Sequence, residues 1–133
     1  MKTYESWARY PKIRNQQILR ADSPSSALVL PTDDRSVLPY GLGRSYGDSC
    51  INNDNAIIET SALSCLISFD EKSGVLKAEA GVSLAAILDV FVPRGWFLPV
   101  SPGTKFVTLG GAVANDIHGK NHHKSGTFGC HVK

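Results

Sequence analysis

Alternating apolar and polar side chains predict a β-hairpin in the middle of the chain. The segments CLISF and VLKAEA are strand candidates, and DEKSG between them is a turn-forming sequence. In the second segment Leu76, Ala78 and Ala80 recur at every second position, so they share one face of a strand, and the residues between them share the other. This period of two is typical of a half-buried strand.

The next segment, SLAAILDVFVP, has the apolar spacing of a helix. Its large apolar residues fall on one helical stripe: Leu84, Ile87, Leu88, Phe91 and Val92. Ser83 is a suitable N-cap and Pro93 closes the far end. The pattern therefore predicts a helix over residues 83–92 that packs one face on a core.

The remaining segments are less regular. The first thirty residues lack a strong periodicity, and ADSPSS marks a loop before the apolar ALVLP. Val37 and Leu38 lead into YGLGRSYGDS, and NNDN forms a turn before the strand-like AIIE, so the glycine-rich stretch is predicted to be a loop between two strands. Beyond RGWFLPV, we predict only a short helix that begins near Thr108 or Gly110 and ends by Gly119.

Composition narrows the class of protein. With 133 residues and 42% hydrophobic residues, the chain is the size of one domain with a real core. A net charge of +2 argues against a nucleic-acid binder. Three cysteines without a CxxC pair favour a reducing compartment, and no apolar run approaches the roughly 20 residues that span a bilayer. We expect a cytoplasmic protein, with peripheral association at the inner membrane left open.

Two glycine clusters are candidate anion cradles. Gly41, Gly43 and Gly47 can turn several main-chain N–H groups toward one phosphate, although GxGxxxG before a turn does not fit a Rossmann fingerprint. TLGGAV places glycines at the predicted start of a helix, where free N–H groups and the helix dipole attract anions. Each cluster also has a structural alternative, a tight surface turn for the first and close packing of helix against sheet for the second.

The histidine cluster NDIHGKNHHKSG invites a zinc interpretation, because His118 and His122 have the His-x3-His spacing. That spacing requires a helix, and Gly119 lies between the two histidines, so we predict no metal site. His118 is instead a candidate for a hydrogen bond to a cofactor or a substrate hydroxyl, since imidazole handles protons near neutral pH. His122 and His123 fit solvated loop positions as well.

GLGRSYGD together with PGTKFVTLGGAVANDIHGKNHHKSGTFG closely resembles the flavin-binding domain of the vanillyl-alcohol oxidase and p-cresol methylhydroxylase (PCMH) superfamily. Within it, DIHGKNHH is most similar to the decaprenylphosphoryl-ribose oxidases, with aldonolactone and alditol oxidases as looser relatives. The resemblance implies an α+β fold, the N-terminal portion of a two-subdomain PCMH-type FAD-binding domain with small mixed sheets and packed helices. Residues 1–36 would form an N-terminal arm and residues 37–133 a partial domain.

The resemblance also implies the residues of the site. Residues 41–49 would wrap the FAD diphosphate, residues 103 and 108–111 would contact the cofactor, and residues 115–118 would lie along the flavin. The implied cofactor contacts are Gly41, Leu42, Gly43, Arg44, Ser45, Tyr46, Gly47, Asp48, Ser49, Gly103, Thr108, Leu109, Gly110, Gly111, Asn115, Asp116, Ile117 and His118. Tyr46, His118 and Lys120 would be the catalytic residues on the substrate side of the ring.

The function implied is that of an FAD-dependent oxidoreductase that oxidises a CH–OH group of a sugar or polyol, with a lipid-linked substrate left open. In many superfamily members a histidine at the position of Arg44 is bonded covalently to the flavin, so FAD should be held non-covalently here. Family members run to several hundred residues, and we therefore expect the chain to be truncated before a C-terminal half. The alternative is a non-catalytic fragment that does not bind FAD productively alone and self-associates.

Overall fold

The structure is a computed structural model that describes residues 4–25 and 30–133. The chain divides into two compact units, Met1–Leu63 and Ser64–Lys133. Most of the apolar segment predicted after the loop at 21–26 lies outside the described residues. Among the described residues no helix is both long and apolar enough to cross a bilayer.

A three-stranded parallel sheet organises the first unit. It contains β1 (Gln17–Arg20), β2 (Val37–Tyr40) and β3 (Ala56–Glu59) in the order β1-β3-β2. The central strand carries the most buried residues, with Ala56 and Ile57 fully buried. AIIE is therefore a strand, as predicted, whereas β1 lies in a stretch where no strand was expected. Its sequence, QILR, has only two apolar residues, too few for a recognisable period.

Parallel pairing brings the ends of β2 and β3 to the same edge of this sheet. Tyr40 and Glu59, the last residues of the two strands, are register partners. Thr60, which follows β3, donates from both its main-chain nitrogen and its hydroxyl to the Tyr40 carbonyl oxygen, at 3.1 Å each. The glycine-rich segment leaves the sheet at this carboxyl edge, which is where open parallel sheets commonly bind ligands.

The second unit begins with the predicted hairpin. Strands β4 (Leu66–Asp70) and β5 (Val75–Ala78) pair antiparallel, which confirms the prediction. The Asp70 carboxylate accepts from the Lys72 main-chain nitrogen (2.9 Å) and the Ser73 hydroxyl (2.6 Å), and Gly74 has φ +69°. Leu76 and Ala78 pack toward the core, as the alternation indicated.

The predicted helix is also present, as α1 (Leu84–Phe91), and the Ser83 side chain caps it by accepting from the Ala86 nitrogen at 3.1 Å. The stripe ends one residue earlier than predicted, because Val92 is 47% exposed. Pro93 does not stop the chain abruptly. It lies in a 3₁₀ turn, Val92–Arg94, which Gly95 ends at φ +83°.

Side chains from all parts of the second unit meet in one core. The fully or nearly buried members are Val82, Leu84, Ile87, Phe91, Val100, Ala112 and Phe128. Phe69 extends this cluster, with its ring centroid 4.5 Å from that of Phe91 and 5.2 Å from that of Trp96. The core anchors the long irregular segment that follows α1.

That segment contains more helix than the sequence predicted. Helix α2 (Leu109–Ala114) begins where expected but ends well before Gly119. A one-turn helix, α3 (His122–Ser125), and a 3₁₀ helix, Phe128–His131, follow it and were not predicted. The 3₁₀ helix is held by a hydrogen bond to a distant residue, from the Phe128 nitrogen to the Ile117 carbonyl oxygen (2.8 Å). Contacts of this kind produce no periodic pattern in the sequence, so these short helices could not be predicted from periodicity.

Candidate cofactor-binding site

Residues 41–49, which we call the glycine loop, follow β2 without forming a helix or strand, as predicted. Gly43 and Gly47 have φ values of +62° and +65°, a region that side chains with a Cβ rarely adopt. A Cβ on Gly47 would meet no atom of the described residues within 4 Å, so the backbone there borders open space as far as these residues go. The loop can therefore approach another molecule closely at Gly47.

The glycine loop is rich in unengaged hydrogen-bond donors. Several main-chain N–H groups in it have no acceptor among the residues that the structure describes, among them those of Leu42, Gly43, Tyr46, Gly47 and Asp48. Most of the loop is exposed, and the Tyr46 side chain is 81% exposed. Donors of this kind, next to the cationic Arg44, suit an anion such as a diphosphate. The residues present therefore fit the diphosphate of a nucleotide cofactor.

Residues 108–111, which we call the helix start, differ in this respect. The first N–H groups of α2 all have acceptors within the chain: Leu109 donates to the Val82 carbonyl oxygen (2.7 Å), Gly110 to that of Ala80 (2.8 Å), Gly111 to the Thr108 hydroxyl (3.1 Å) and Ala112 to the Thr108 carbonyl oxygen (2.8 Å). The unsatisfied donors expected at this helix end are therefore already engaged. The cofactor contacts assigned to these residues stay a prediction.

The glycines near the helix start have different surroundings. A Cβ on Gly110 would lie 3.0 Å from the Ala80 Cβ, so this glycine permits close packing of α2. Gly103 is exposed, and a Cβ there would meet no atom within 4 Å in the part of the chain that the structure describes. Close packing, the structural alternative considered for the second cluster, thus describes Gly110 in this fold.

The segment that carries His118 and Lys120, two of the three predicted catalytic residues, is fixed by contacts with other parts of the second unit. Asp116 has φ +42°, and its carboxylate accepts from the Gly129 nitrogen at 2.8 Å. A Cβ on Gly119 would lie 2.6 Å from the Ser101 carbonyl oxygen, so only glycine fits between His118 and Lys120. Both flanking side chains are exposed, while Gly119 itself is buried. The fold thus presents His118 and Lys120 on either side of a buried turn.

His118 also contacts a second histidine. The ring centroids of His118 and His122 are 5.4 Å apart in an edge-to-face arrangement, and His122 donates from Nδ1 to the Gly119 carbonyl oxygen at 3.1 Å. Asn115 is exposed and donates from its amide to the Gly111 carbonyl oxygen (2.8 Å). In residues 4–25 and 30–133, no group of three His, Cys, Asp or Glu side chains is arranged to hold a metal ion.

The cysteines and the surface depressions add little to the site. Cys50, Cys65 and Cys130 are free thiols. Burial raises the pKa of the Cys50 thiol, which adjoins the glycine loop. Two shallow depressions contain none of the predicted site residues; they are lined by Arg20, Asp22, Glu59 and Ala62 in the first unit, and by Leu88, Asp89, Val92, Pro93, Phe97 and Lys105 in the second.

One contact of the glycine loop had no signal in the sequence. The Trp7 main-chain nitrogen donates to the Ser45 carbonyl oxygen at 3.1 Å, and the Arg44 guanidinium carbon lies 5.1 Å from the centre of the Trp7 ring. The two segments are far apart in the chain, and SWARYP has no period that places it against the loop. A tryptophan in an otherwise polar segment is the one unusual feature of this stretch, and by itself it does not indicate which residues the tryptophan contacts.

The match to a family model defines the class of protein. The model for the FAD binding domain matches residues 27–133, so the chain belongs to this family of FAD-binding proteins. The superfamily resemblance and FAD as the cofactor are thereby confirmed. The fold is part of a PCMH-type FAD-binding domain.

Individual relatives place the chain more closely. It is 46% identical to decaprenylphosphoryl-beta-D-ribose oxidase of Mycolicibacterium smegmatis (strain ATCC 700084 / mc(2)155) over 127 residues, covering 84% of the chain and 28% of that protein. It is 26% identical to D-lactate dehydrogenase of Anaerostipes hadrus, covering 96% of the chain and 27% of that protein. The chain thus spans little more than a quarter of the length of these relatives.

A solved structure supports the same fold. Alkyldihydroxyacetonephosphate synthase superimposes with a TM-score of 0.59 at 20% identity, covering 71% of this chain and 19% of that one. At this level of identity the likeness concerns the fold alone.

Proposed function

We propose that this chain is the N-terminal part of the cofactor site of an FAD-dependent oxidoreductase that oxidises a CH–OH group of a sugar or polyol. The observation that carries the proposal is the glycine loop, which combines an arginine with several N–H groups that have no acceptor in the described part of the chain, in a member of an FAD-binding family. The substrate class is supported by the relative at 46% identity, which is named as a ribose oxidase. A sugar linked to a lipid also carries CH–OH groups, so it belongs to the proposed substrate class.

In this proposal the glycine loop binds the FAD diphosphate through main-chain N–H groups and Arg44. Two or more N–H donors directed at one phosphate form a strong anion site, because each bond to a charged oxygen is stronger than a neutral one. Arginine has no nucleophilic ring nitrogen to form the covalent flavin link made by histidine, so FAD is held non-covalently. Gly103 and residues 108–111 contact the cofactor as well in this proposal, although the main-chain N–H groups of residues 109–111 already have acceptors within the chain.

The catalytic roles fall to Tyr46, His118 and Lys120. FAD, when bound, supplies the acceptor for the hydride of the CH–OH group. His118 and Lys120 are exposed on either side of Gly119, so their polar atoms are available to a substrate hydroxyl. His118 polarises this hydroxyl or takes its proton, and Lys120 and Tyr46 orient the sugar. Asn115, Asp116 and Ile117 lie along the flavin together with His118 in this proposal.

The test is the absorbance spectrum of the purified full-length protein, together with an FAD titration of the 133-residue chain. We expect flavin bands in the full-length protein, and their release by denaturation without a covalently attached fraction. Absence of flavin bands, combined with no uptake of added FAD, would overturn the proposal. A flavin fraction that stays with the denatured polypeptide would overturn the non-covalent attachment.

A second candidate is a non-catalytic fragment that self-associates. Several large apolar side chains of the second unit are exposed, among them Phe97 (68%) and Phe106 (53%), and exposed apolar patches favour association. Light scattering of the 133-residue chain during an FAD titration separates the candidates. If the chain is a monomer that takes up FAD, the hypothesis of a self-associating fragment is excluded. A dimer or larger assembly without FAD uptake supports that hypothesis.

We also propose a cytoplasmic location with peripheral association at the inner membrane. The three free cysteines support a reducing compartment. Fractionation of cells into cytoplasm and membranes, with and without a high-salt wash, tests this: salt-extractable protein supports it, and protein only in an oxidising compartment contradicts it.

A further inference from the structure

Residues 4–10 belong to the N-terminal arm that was expected over residues 1–36, and we call this shorter segment the arm. It lies against the glycine loop, although it precedes the part of the chain matched by the family model. Trp7 donates its main-chain N–H to the Ser45 carbonyl oxygen at 3.1 Å, and the Tyr40 hydroxyl donates to the Glu5 carbonyl oxygen at 2.7 Å. Ser6, between these two contacts, is only 4% exposed. The arm therefore packs on the loop through its backbone.

Gly43 shows that this packing shapes the loop. A Cβ at this position would lie 2.4 Å from the Glu5 carbonyl oxygen and 2.1 Å from the Tyr40 hydroxyl oxygen. No side chain fits at these distances, so the glycine lets the arm reach the loop. The conformation of the loop at Gly43 thus depends on a segment outside the matched family domain.

The arm also holds the one cationic side chain of the glycine loop. The Arg44 guanidinium carbon lies 5.1 Å from the centre of the Trp7 ring, within the range of a cation–π interaction. Glu5, the acidic residue of the arm, forms ion pairs with Arg9 (3.9 Å) and with Lys12 (3.7 Å), which lies just beyond the arm. The charge of Glu5 is therefore balanced by residues close to it in the chain. The arm therefore presents an aromatic face to Arg44.

We propose that Trp7 is a positioning residue of the FAD site, whose ring holds the Arg44 guanidinium in an orientation ready to bind the diphosphate. This inference rests on the proposed function. A free arginine side chain loses rotamer entropy when it binds an anion, and a side chain already stacked on a ring loses less. Trp7 acts through Arg44 and through the Ser45 contact of its backbone.

The experiment measures the FAD dissociation constant of the full-length protein after reversible removal of flavin, by flavin fluorescence. We expect Trp7→Ala to weaken FAD binding about 3- to 10-fold, in line with a cation–π contact at a partly exposed site. Trp7→Phe retains an aromatic face and should stay within about 2-fold of the wild type. Tyr10→Ala removes another exposed aromatic side chain of the arm (74% exposed, against 58% for Trp7) and should leave the affinity unchanged.

A double-mutant cycle separates this role from general support of the fold. Arg44→Gln removes the cation that Trp7 holds, so Trp7→Ala should weaken FAD binding little further in the Arg44→Gln background. Cooperative thermal unfolding of each variant confirms that it folds. If Trp7→Ala fails this control, Trp7→Phe and Arg44→Gln carry the test, and the loss caused by Arg44→Gln should then be smaller in Trp7→Phe than in the wild type.

The outcomes are distinguishable from failure of the proposed function. Absence of FAD uptake by the wild type overturns the proposed function and this inference with it. Wild-type affinity in Trp7→Ala, or an equal loss on Trp7→Ala with and without Arg44, overturns only the inference. The same holds if Trp7→Phe loses as much affinity as Trp7→Ala.

Discussion

The glycine loop and the helix start have the same kind of sequence but use their backbones differently. Both combine glycines with hydroxyl side chains, and both were predicted to expose N–H groups. In the glycine loop several N–H groups have no acceptor among the described residues, whereas Leu109, Gly110 and Gly111 at the helix start donate within their own unit. A glycine cluster in a sequence thus indicates backbone freedom but not how its amides are used.

The difference follows from what lies beside each glycine. Gly110 packs against Ala80, and its amide reaches the Ala80 carbonyl oxygen at 2.8 Å. At Gly47, no atom of residues 4–25 or 30–133 beyond its chain neighbours lies within 4 Å of the position that a Cβ would take. Close packing supplies acceptors and so removes donors from the surface. Open space leaves donors for a ligand.

The largest expected effect is that of Gly43→Ala. The new Cβ would overlap Glu5 and Tyr40 at a φ of +62°, so we expect the free energy of unfolding to fall by about 3 kcal/mol. Gly47→Ala, at the similar φ of +65° but in open space, should cost only about 1 kcal/mol. Urea denaturation of both variants measures the difference. Equal losses would show that the arm does not constrain Gly43.

The second effect concerns Tyr40, the buried last residue of β2, which immediately precedes the glycine loop. Burial, with a smaller contribution from the Cys50 thiolate, raises the pKa of Tyr40 to about 12. The unfolded state ionises first, near pH 10, so stability is present below pH 10 and is lost as pH rises toward 12. We expect a loss of roughly 2 kcal/mol over this window.

The control is Tyr40→Phe. It should remove the pH-dependence above pH 10 while costing about 1 kcal/mol at neutral pH, through loss of the bond to Glu5. Unfolding at pH 8, 10 and 11 in both proteins measures this. An unchanged slope in Tyr40→Phe would contradict the assignment to this phenol.

The third effect is at the helix start. Thr108 is 3% exposed, and its hydroxyl accepts from the Gly111 nitrogen at 3.1 Å. Thr108→Ala removes this cap, and we expect a loss of about 1 kcal/mol in the FAD-free protein. Thr108→Ser keeps the hydroxyl and should recover most of it. If Thr108→Ala were neutral, the Gly111 amide would not depend on its internal acceptor, and the contrast with the glycine loop would weaken.

The smallest effect is that of Gly110→Ala. Alanine favours a helix by about 1 kcal/mol over glycine, but its Cβ would lie 3.0 Å from the Ala80 Cβ. These terms nearly cancel, so we expect a change within about 1 kcal/mol in either direction. Thermal unfolding of the FAD-free protein measures it. A loss as large as that of Gly43→Ala would show that the helix start is constrained as tightly as the glycine loop.

Elements built from neighbouring residues were predictable. The hairpin β4–β5 and helix α1 form where the alternation and the apolar stripe placed them, because each is specified by contacts within a few residues. The glycine loop was also placed correctly, between AIIE and the preceding strand. The motifs GLGRSYGD and DIHGKNHH identified the family, which the match of residues 27–133 to the FAD binding domain confirms.

Contacts between distant segments were not predictable. Strand β1 exists because Gln17–Arg20 pairs with β3, nearly forty positions further on, and QILR by itself carries no period. The sequence by itself determined the local elements, the family and the candidate residues, because periodicity and motif are local properties. Only the tertiary structure decided which amides are engaged, and that Trp7 lies under Arg44, because a hydrogen-bond acceptor or an aromatic face can come from any part of the chain.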